Sequence, residues 1–392
     1  MTSIKSLTSF GLDLPPSCIE FFPLKPELAV IGTYNLEKQD DDQASKSQAA
    51  ESKQPQQRNG SLILVRVDGD NVDILQNLST PSAILDIHFL THVPSSNFGV
   101  ATSTGSFAIY ELASWESRHP QIVHIKTIQY FPENVLVTAF TWHPESYMVG
   151  MTLSDGRVCL GVIDTESADD EPQHLEIAKH ELEAWTLTFA PDASGVWSGG
   201  DDSALKMIEL SDDHATADQE LEGNERYAPA RYMAWSDKKI HGAGVTAILP
   251  LHLDNETSLV VTGSYDDHIR LLRVATTGKR QELCDMNLGG GVWRIKLLDR
   301  KPTLPANHGV SKWRSEPPPT ELMLLVSCMH AGTRVVRLAR TGDDWAFEIL
   351  GRFEEHKSMN YGSDSQKGLN AKGQRTFITT SFYDRLLCLW RF

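Results

Sequence analysis

One short unit returns seven times along this chain of 392 residues. An alternating apolar–polar run ends in a tight polar turn, and a second alternating run follows. The turns read NG in QRNGSLILVRV, TG in GVATSTGSFAIYEL, DG in GMTLSDGRVCLGV and DDS in WSGGDDSALKMIEL. They continue as DD in VVTGSYDDHIRLLRV, AG in LVSCMHAGTRVVRL and DR in ITTSFYDRLLCLWRF. The second turn position aligns at Gly60, Gly105, Gly156, Ser203, Asp267, Gly332 and Arg385. Two-residue hairpin turns need positive φ, which Asn-Gly and Asp-Gly supply most easily. The period-two flanks are those of half-buried antiparallel strands. A further short run lies upstream of five turns, at 85–90, 139–144, 184–191, 245–251 and 292–298. Helical spacing is almost absent.

A strand–turn–strand unit recurring every ~40–45 residues is the signature of a WD-repeat blade. Successive turns here are 45 to 65 residues apart, and the excess reads as inserted loop. The expectation is an all-β chain, residues 1–392, forming a single seven-bladed WD-repeat β-propeller. The chain stops at Phe392, in the third strand of the last blade. The missing outer strand is therefore expected from the N-terminus, around Ile4–Gly11, closing the ring and removing two open sheet edges. Residues 38–59 are poor in apolar side chains and read as a disordered loop. Residues 211–240, 300–320 and 354–374 read as inserted loops.

Lys and Arg number 36 against 52 Asp and Glu, a formal charge of −16. So acidic a chain lacks the electrostatic footprint for nucleic acid or an anionic membrane, and points to a neutral or basic partner. No run approaches the ~20 apolar residues of a membrane span. The start of the chain has no basic region followed by an apolar run, so no signal peptide is expected. Five scattered cysteines fit a reducing, cytoplasmic setting better than a disulfide framework. The Gly-any-Ser-any-Gly nucleophile elbow, the His-Glu-any-any-His zinc motif and paired Cys-any-any-Cys strings do not occur. No metal or cofactor is expected.

In a propeller the turns between second and third strands, and the loops leading into each innermost strand, open on one face. The first set carries Asp201, Asp202, Tyr265, Asp266, Asp267, His268, His330, Tyr383 and Asp384. The second carries His180, His241, Gly289–Gly291, Trp293 and His356. Some of these have an ordinary structural explanation. Asp202, Asp266 and Asp384 occupy the turn position where a carboxylate accepts backbone N–H bonds, and His180 and His241 sit where a histidine bonds that carboxylate. Trp390 reads as core. Others are harder to explain by folding alone. Tyr265 and Tyr383 precede turn aspartates, Asp201 is a second carboxylate beside Asp202, and His330 replaces an acidic turn residue. Gly289–Gly291 suggests a close backbone approach or exposed amides.

The strings GTYNLEK, GGDD, GSYDDHIRL, GGGVWRIK, CMHAG, EEHKSMNYG and TSFYDRLLCLW occur in this order. Together they resemble the diphthine methyl ester hydrolases, WD-repeat enzymes of diphthamide biosynthesis. The resemblance runs through all seven blades and is strongest from Trp185 onward; GGGVWRIK followed by CMHAG is its most specific part. It implies removal of the methyl ester from diphthine, the modified histidine of translation elongation factor two, before a final amidation. It also implies that elongation factor, and other proteins of the pathway, as partners.

Ester hydrolysis needs a nucleophile, a base and oxyanion donors. His330 and His268 are the candidate bases, Cys328 the alternative nucleophile, and Asp267 a candidate carboxylate beside them. Trp185, Trp293, Tyr265 and Tyr383 are candidates for an aromatic surface facing the trimethylammonium group of diphthine. Asp201 and Asp202 add negative charge there, and Gly290, Gly291 and Arg294 are candidate oxyanion donors. The alternative to catalysis is a scaffold or adaptor that assembles other proteins.

Overall fold

The computed structural model describes residues 2–36, 58–91, 93–163, 172–211, 230–253, 257–275, 277–302 and 317–392. Within them the chain forms seven sheets and no helix. Apart from the strands that the N-terminus adds to two of them, the sheets are antiparallel meanders. In the fourth, Ala184–Phe189, Gly195–Gly200, Leu205–Ser211 and Ala230–Asp237 follow one another from inside to outside. The innermost strands line a central channel. Pro16–Phe21 of the first blade packs between Ile84–Phe89 of the second and Gly362–Ser365 of the seventh, which closes the circle. This is the seven-bladed propeller expected from the turns.

Six of the seven aligned turn positions have positive φ: Gly105 (71°), Gly156 (87°), Ser203 (60°), Asp267 (69°), Gly332 (77°) and Arg385 (53°). Gly60 does not. It lies inside the strand Arg58–Asp68, whose start pairs with Asn35–Leu36. The Asn-Gly string is thus no turn, and the first blade's connection falls largely in 37–57, outside the described residues. Glycine is needed at Gly60 for a different reason: a Cβ there would meet the Thr33 carbonyl oxygen at 2.3 Å.

The N-terminus closes the ring. Thr8–Gly11 pairs antiparallel with Leu386–Arg391, Thr8 opposite Leu389 and Gly11 opposite Leu386. A second attachment was not legible beforehand. Thr2–Ile4 adds in parallel to the outer edge of blade six, Ile4 opposite Phe353. The first residues thereby stitch blade six to blade seven.

The core sits between neighbouring blades, because each sheet buries both faces. Leu271, Val326, Val336 and Trp345 fill the space between blades five and six, and Ile31, Ile63, Ile378 and Leu389 join one to seven. Trp390 is fully buried and stacks on Phe377, with centroids 4.1 Å apart and planes at 11°.

The segments read as insertions resolve differently. Residues 354–374 contain Gly362–Ser365, the innermost strand of blade seven. Its polar GSDS string hid it, because this strand packs charge rather than apolar side chains into the channel. Residues 211–240 contain Ala230–Asp237, the outer strand of blade four. The remainder of that segment at 212–229, most of 38–59, and 303–316 lie outside the described residues. Among the described residues no helix is long and apolar enough to cross a membrane.

Candidate functional site

The meander puts alternate connections on the same face. Turns from second to third strands and loops entering the innermost strands therefore meet around one mouth of the channel, held by a frame of turn carboxylates. Asp202 Oδ1 lies 2.8 Å from His180 Nδ1, and the same carboxylate accepts the amides of Glu181 and Ala204. Burial would raise its pKa, but these bonds outweigh that and hold it well below the usual carboxylate range. Asp266 accepts the Gly242 amide and pairs with Arg270 at 2.7 Å. Asp384 accepts the Lys357 amide and the Ser358 hydroxyl. The structural reading of these three aspartates stands, and Asp202 is committed to it rather than to substrate. His241 differs from its expected role: its Nε2 bonds Thr262 Oγ1 at 2.9 Å, and its Nδ1 has no partner among the described residues. His356 repeats this with Thr379.

Above this frame lies a chain of aromatic rings. Trp293 is its centre. Tyr265 stacks on it at 6.2 Å and 24°, Trp185 meets it edge-on at 5.7 Å, and Tyr361 lies 4.9 Å away. Tyr361 contacts Phe382 at 5.5 Å, and Phe382 reaches Tyr34 at 6.1 Å. The rings come from blades one, four, five, six and seven, so only closure of the ring assembles them. Trp185 donates its indole N–H to Asp201 Oδ1 at 2.7 Å. Burial raises the Asp201 pKa, and Glu183 and Asp202 add to this, against the Trp185 bond. Burial likewise lifts the Tyr265 phenol above its ordinary value. The guanidinium of Arg294 stacks under Trp293, 4.8 Å from the ring centroid.

Below Arg294 the channel carries charges that sequence reasoning missed. Asp86 Oδ1 is 3.7 Å from Arg294 Nη2, and Asp86 Oδ2 is 3.3 Å from His88 Nε2. His88 Nδ1 is 2.7 Å from Glu20 Oε2. Lys296 pairs with Asp364 at 3.1 Å. Burial alone would lower the His88 pKa, but Asp86 and Glu20 outweigh it and push the imidazole up to about 10. Alternating polar residues on an innermost strand were the available signal, since these strands face the channel on one side.

The expected site residues fall into two groups. Trp185, Tyr265, Trp293, Arg294 and Asp201 come together at the mouth. Gly290 and Gly291 lie on the same rim. A Cβ on Gly291 would sit 2.9 Å from the Met329 sulfur and 3.3 Å from Tyr265, and one on Gly290 would meet the Cys328 carbonyl oxygen at 2.4 Å. Their amides donate no hydrogen bond among the described residues. His330 is exposed on the turn that abuts these glycines, and Tyr383 is 70% exposed, meeting the aromatic chain at Phe382 with centroids 5.1 Å apart. Asp267 holds its turn at positive φ, and its carbonyl accepts the Leu288 amide.

Two candidates are turned away from the mouth. His268 Nδ1 bonds Asp285 Oδ2 at 2.7 Å, and Asp285 lies on the outermost strand of blade five. The imidazole therefore points outward along the sheet, because it begins the third strand instead of ending the turn. Cys328 is fully buried, and burial pushes its thiol up to about 12. A thiol so far from ionisation is a core side chain, not a nucleophile. Tyr361, Phe382 and Tyr34 were not anticipated. Tyr361 stands in EEHKSMNYG and Phe382 in TSFYDRLLCLW, beside residues that were read.

Comparison with known proteins agrees with the resemblance read from the motifs. A protein named diphthine methyltransferase from Saccharomyces cerevisiae is 27% identical over 438 aligned positions, covering 98% of this chain and 97% of that protein. Its namesake from Schizosaccharomyces pombe is 27% identical, covering 96% and 95%. The human protein of that name is 26% identical, covering 92% of this chain and 74% of its own length. The chain is a homologue of the diphthine methyltransferases. No protein-family model matches it. Among solved structures, a chain of a mitotic checkpoint complex superposes with a TM-score of 0.58 at 13% identity, over 99% of this chain and 91% of that one. That likeness concerns the fold alone. The likeness to the Saccharomyces cerevisiae and Schizosaccharomyces pombe proteins extends over nearly the whole chain.

Proposed function

We propose that the chain is a cytoplasmic enzyme of diphthamide biosynthesis that hydrolyses the methyl ester of diphthine on translation elongation factor two. The observation that carries this reading is the aromatic mouth with a carboxylate at its edge. Diphthine bears a trimethylammonium group close to its ester. Trp293, Trp185, Tyr265 and Tyr361 offer π-faces to that cation, each contact worth about 0.5–2 kcal/mol, and Asp201 supplies the negative charge. The ester then lies over Arg294 and the Gly290–Gly291 amides.

Water attacks the ester carbonyl carbon and passes its proton to His330. Arg294 and the glycine amides take the charge of the tetrahedral oxyanion. The bond to the methoxy group breaks, His330 returns the proton to it as methanol, and the carboxylic acid that remains gives its own proton to solvent, leaving a free carboxylate. A positioned base of this kind contributes about 10²–10⁴-fold. The names of the homologues speak of methyl transfer, and hydrolysis is our reading of how the methyl group leaves. A shape-specific mouth and an acidic surface suit a folded protein substrate with a basic patch around the modified histidine.

The test is incubation of the purified chain with elongation factor two carrying methylated diphthine, reading released methanol. Catalytic turnover is expected, and His330→Ala is expected to reduce kcat with little change in KM. Absence of turnover by a folded, substrate-binding chain would leave the scaffold reading instead.

A further inference from the structure

The channel beneath the mouth holds three acids and three bases: Glu20, Asp86 and Asp364 against His88, Arg294 and Lys296. Buried charge contributes little net stability, since desolvation offsets most of the attraction, so so dense a cluster calls for another explanation. Lys296 and Asp364 have a structural one. Asp364 accepts the Phe21 amide at 2.7 Å, and Lys296 donates to the Ile19 carbonyl at 3.3 Å, tying blades six, seven and one together.

The other four form a directed series. Glu20 is fixed by the Phe89 amide at 3.0 Å and holds His88 at 2.7 Å. His88 lies between Glu20 and Asp86, which is itself only 4% exposed and accepts the Phe140 amide at 3.3 Å. Asp86 lies 3.7 Å from the Arg294 guanidinium, beyond direct hydrogen bonding. Among the described residues Arg294 otherwise hydrogen-bonds only the carbonyls of Trp293 and Thr246, at 3.3 and 3.5 Å, besides stacking on the Trp293 ring. Its fork is thus steered from below but keeps donors for another partner.

We infer that Asp86, held in place by His88 and Glu20, is a positioning residue that aims the guanidinium of Arg294 at the carboxyl group of the substrate. The inference rests on the proposed function in one respect, that Arg294 faces the bound ester. None of the three touches substrate; they act through Arg294. Arginine suits the task because its planar fork matches a carboxylate in two parallel bonds.

Two small probes separate the aromatic mouth from the guanidinium below it. Tetramethylammonium carries only the cation, and betaine carries the cation and a carboxylate. Binding of each to the full chain is measured by titration calorimetry. The unaltered protein is expected to prefer betaine by about tenfold, the worth of one charge-assisted contact. Asp86→Asn and His88→Gln are expected to erase that preference while leaving tetramethylammonium affinity within about twofold. A merely structural defect would weaken both probes together. Should Asp86→Asn fail to fold, His88→Gln carries the test, its side chain being 34% exposed in the channel. Folded variants that keep the betaine preference would overturn the positioning role and leave the aromatic mouth standing. An unaltered protein that binds neither probe would overturn the mouth, and this inference with it.

Discussion

Trp293 gathers Trp185, Tyr265, Tyr361 and Arg294 around a single indole. Trp293→Ala is expected to lower kcat/KM for the methyl ester by about 2- to 30-fold, chiefly through KM, as loss of one cation–π face implies. Steady-state methanol release at varied substrate concentration reads the split. Cys328 gives the opposite expectation. Its buried thiol is pushed up to about 12 and donates to the Val326 carbonyl at 3.7 Å. Cys328→Ala should leave kcat within about twofold and cost about 1 kcal/mol of stability, the loss of a small buried group. A collapse of kcat with unchanged thermal stability would restore the thiol as nucleophile. His268 and His330 both stood beside turns in the sequence, yet one projects along the blade to Asp285 and the other stays on the rim. Three register positions separate these fates: His268 follows its aligned turn residue Asp267 by one, whereas His330 precedes Gly332 by two, and side chains change face with every residue.

At the scale of elements, the first dozen residues matter more than their length suggests. Thr8–Gly11 completes blade seven, Thr2–Ile4 extends blade six, and Ile4 and Leu12 are buried. Burial of two such side chains is worth about 1.5–3 kcal/mol each, apart from the lost ladder bonds and the two exposed edges. Deleting Met1–Leu12 should therefore lower the thermal midpoint by at least about 5 °C and promote association through the open edges. A truncated chain melting with the intact one would show that the ring does not depend on this closure. The turns make a related point. Ser203, Asp267 and Arg385 hold positive φ without glycine, at 60°, 69° and 53°. Such turns persist because the flanking ladders and the turn carboxylates over-determine them.

Across the whole molecule, buried histidines set the pH range of the ring. His241 and His356 sit in blades five and seven, and burial lowers both to about 4 from an ordinary 6.5. The unfolded chain binds their protons first, so stability is expected to fall as pH drops from 6.5 toward about 4. His88 has the opposite sign. Its pKa is raised to about 10, so its contribution is complete below 6.5 and fades as pH climbs through about 10. Thermal midpoints across this range should peak near pH 6.5, where the acid limb of His241 and His356 meets the alkaline limb of His88. Replacing His241 with Gln is expected to flatten the acid limb; an unchanged limb would place the acid sensitivity elsewhere.

Much of this was legible in one dimension. Period-two alternation and the polar turns are local properties, and they sufficed for seven blades, for the outer strand supplied by the N-terminus, and for the face on which Trp185, Tyr265, Trp293 and Asp201 lie. Polar strands broke that code. Gly362–Ser365 read as loop because its side chains satisfy channel charges instead of an apolar core, and Gly60 read as a turn because a close carbonyl and a positive φ demand the same residue. What the tertiary structure alone decided is which distant side chains meet. Tyr34 and Phe382 are separated by almost the whole chain and come within 6.1 Å, as Glu20 and Asp364 come to flank Lys296, only because the last sheet closes on the first. Contacts made by ring closure depend on blade number and tilt, which no local pattern encodes.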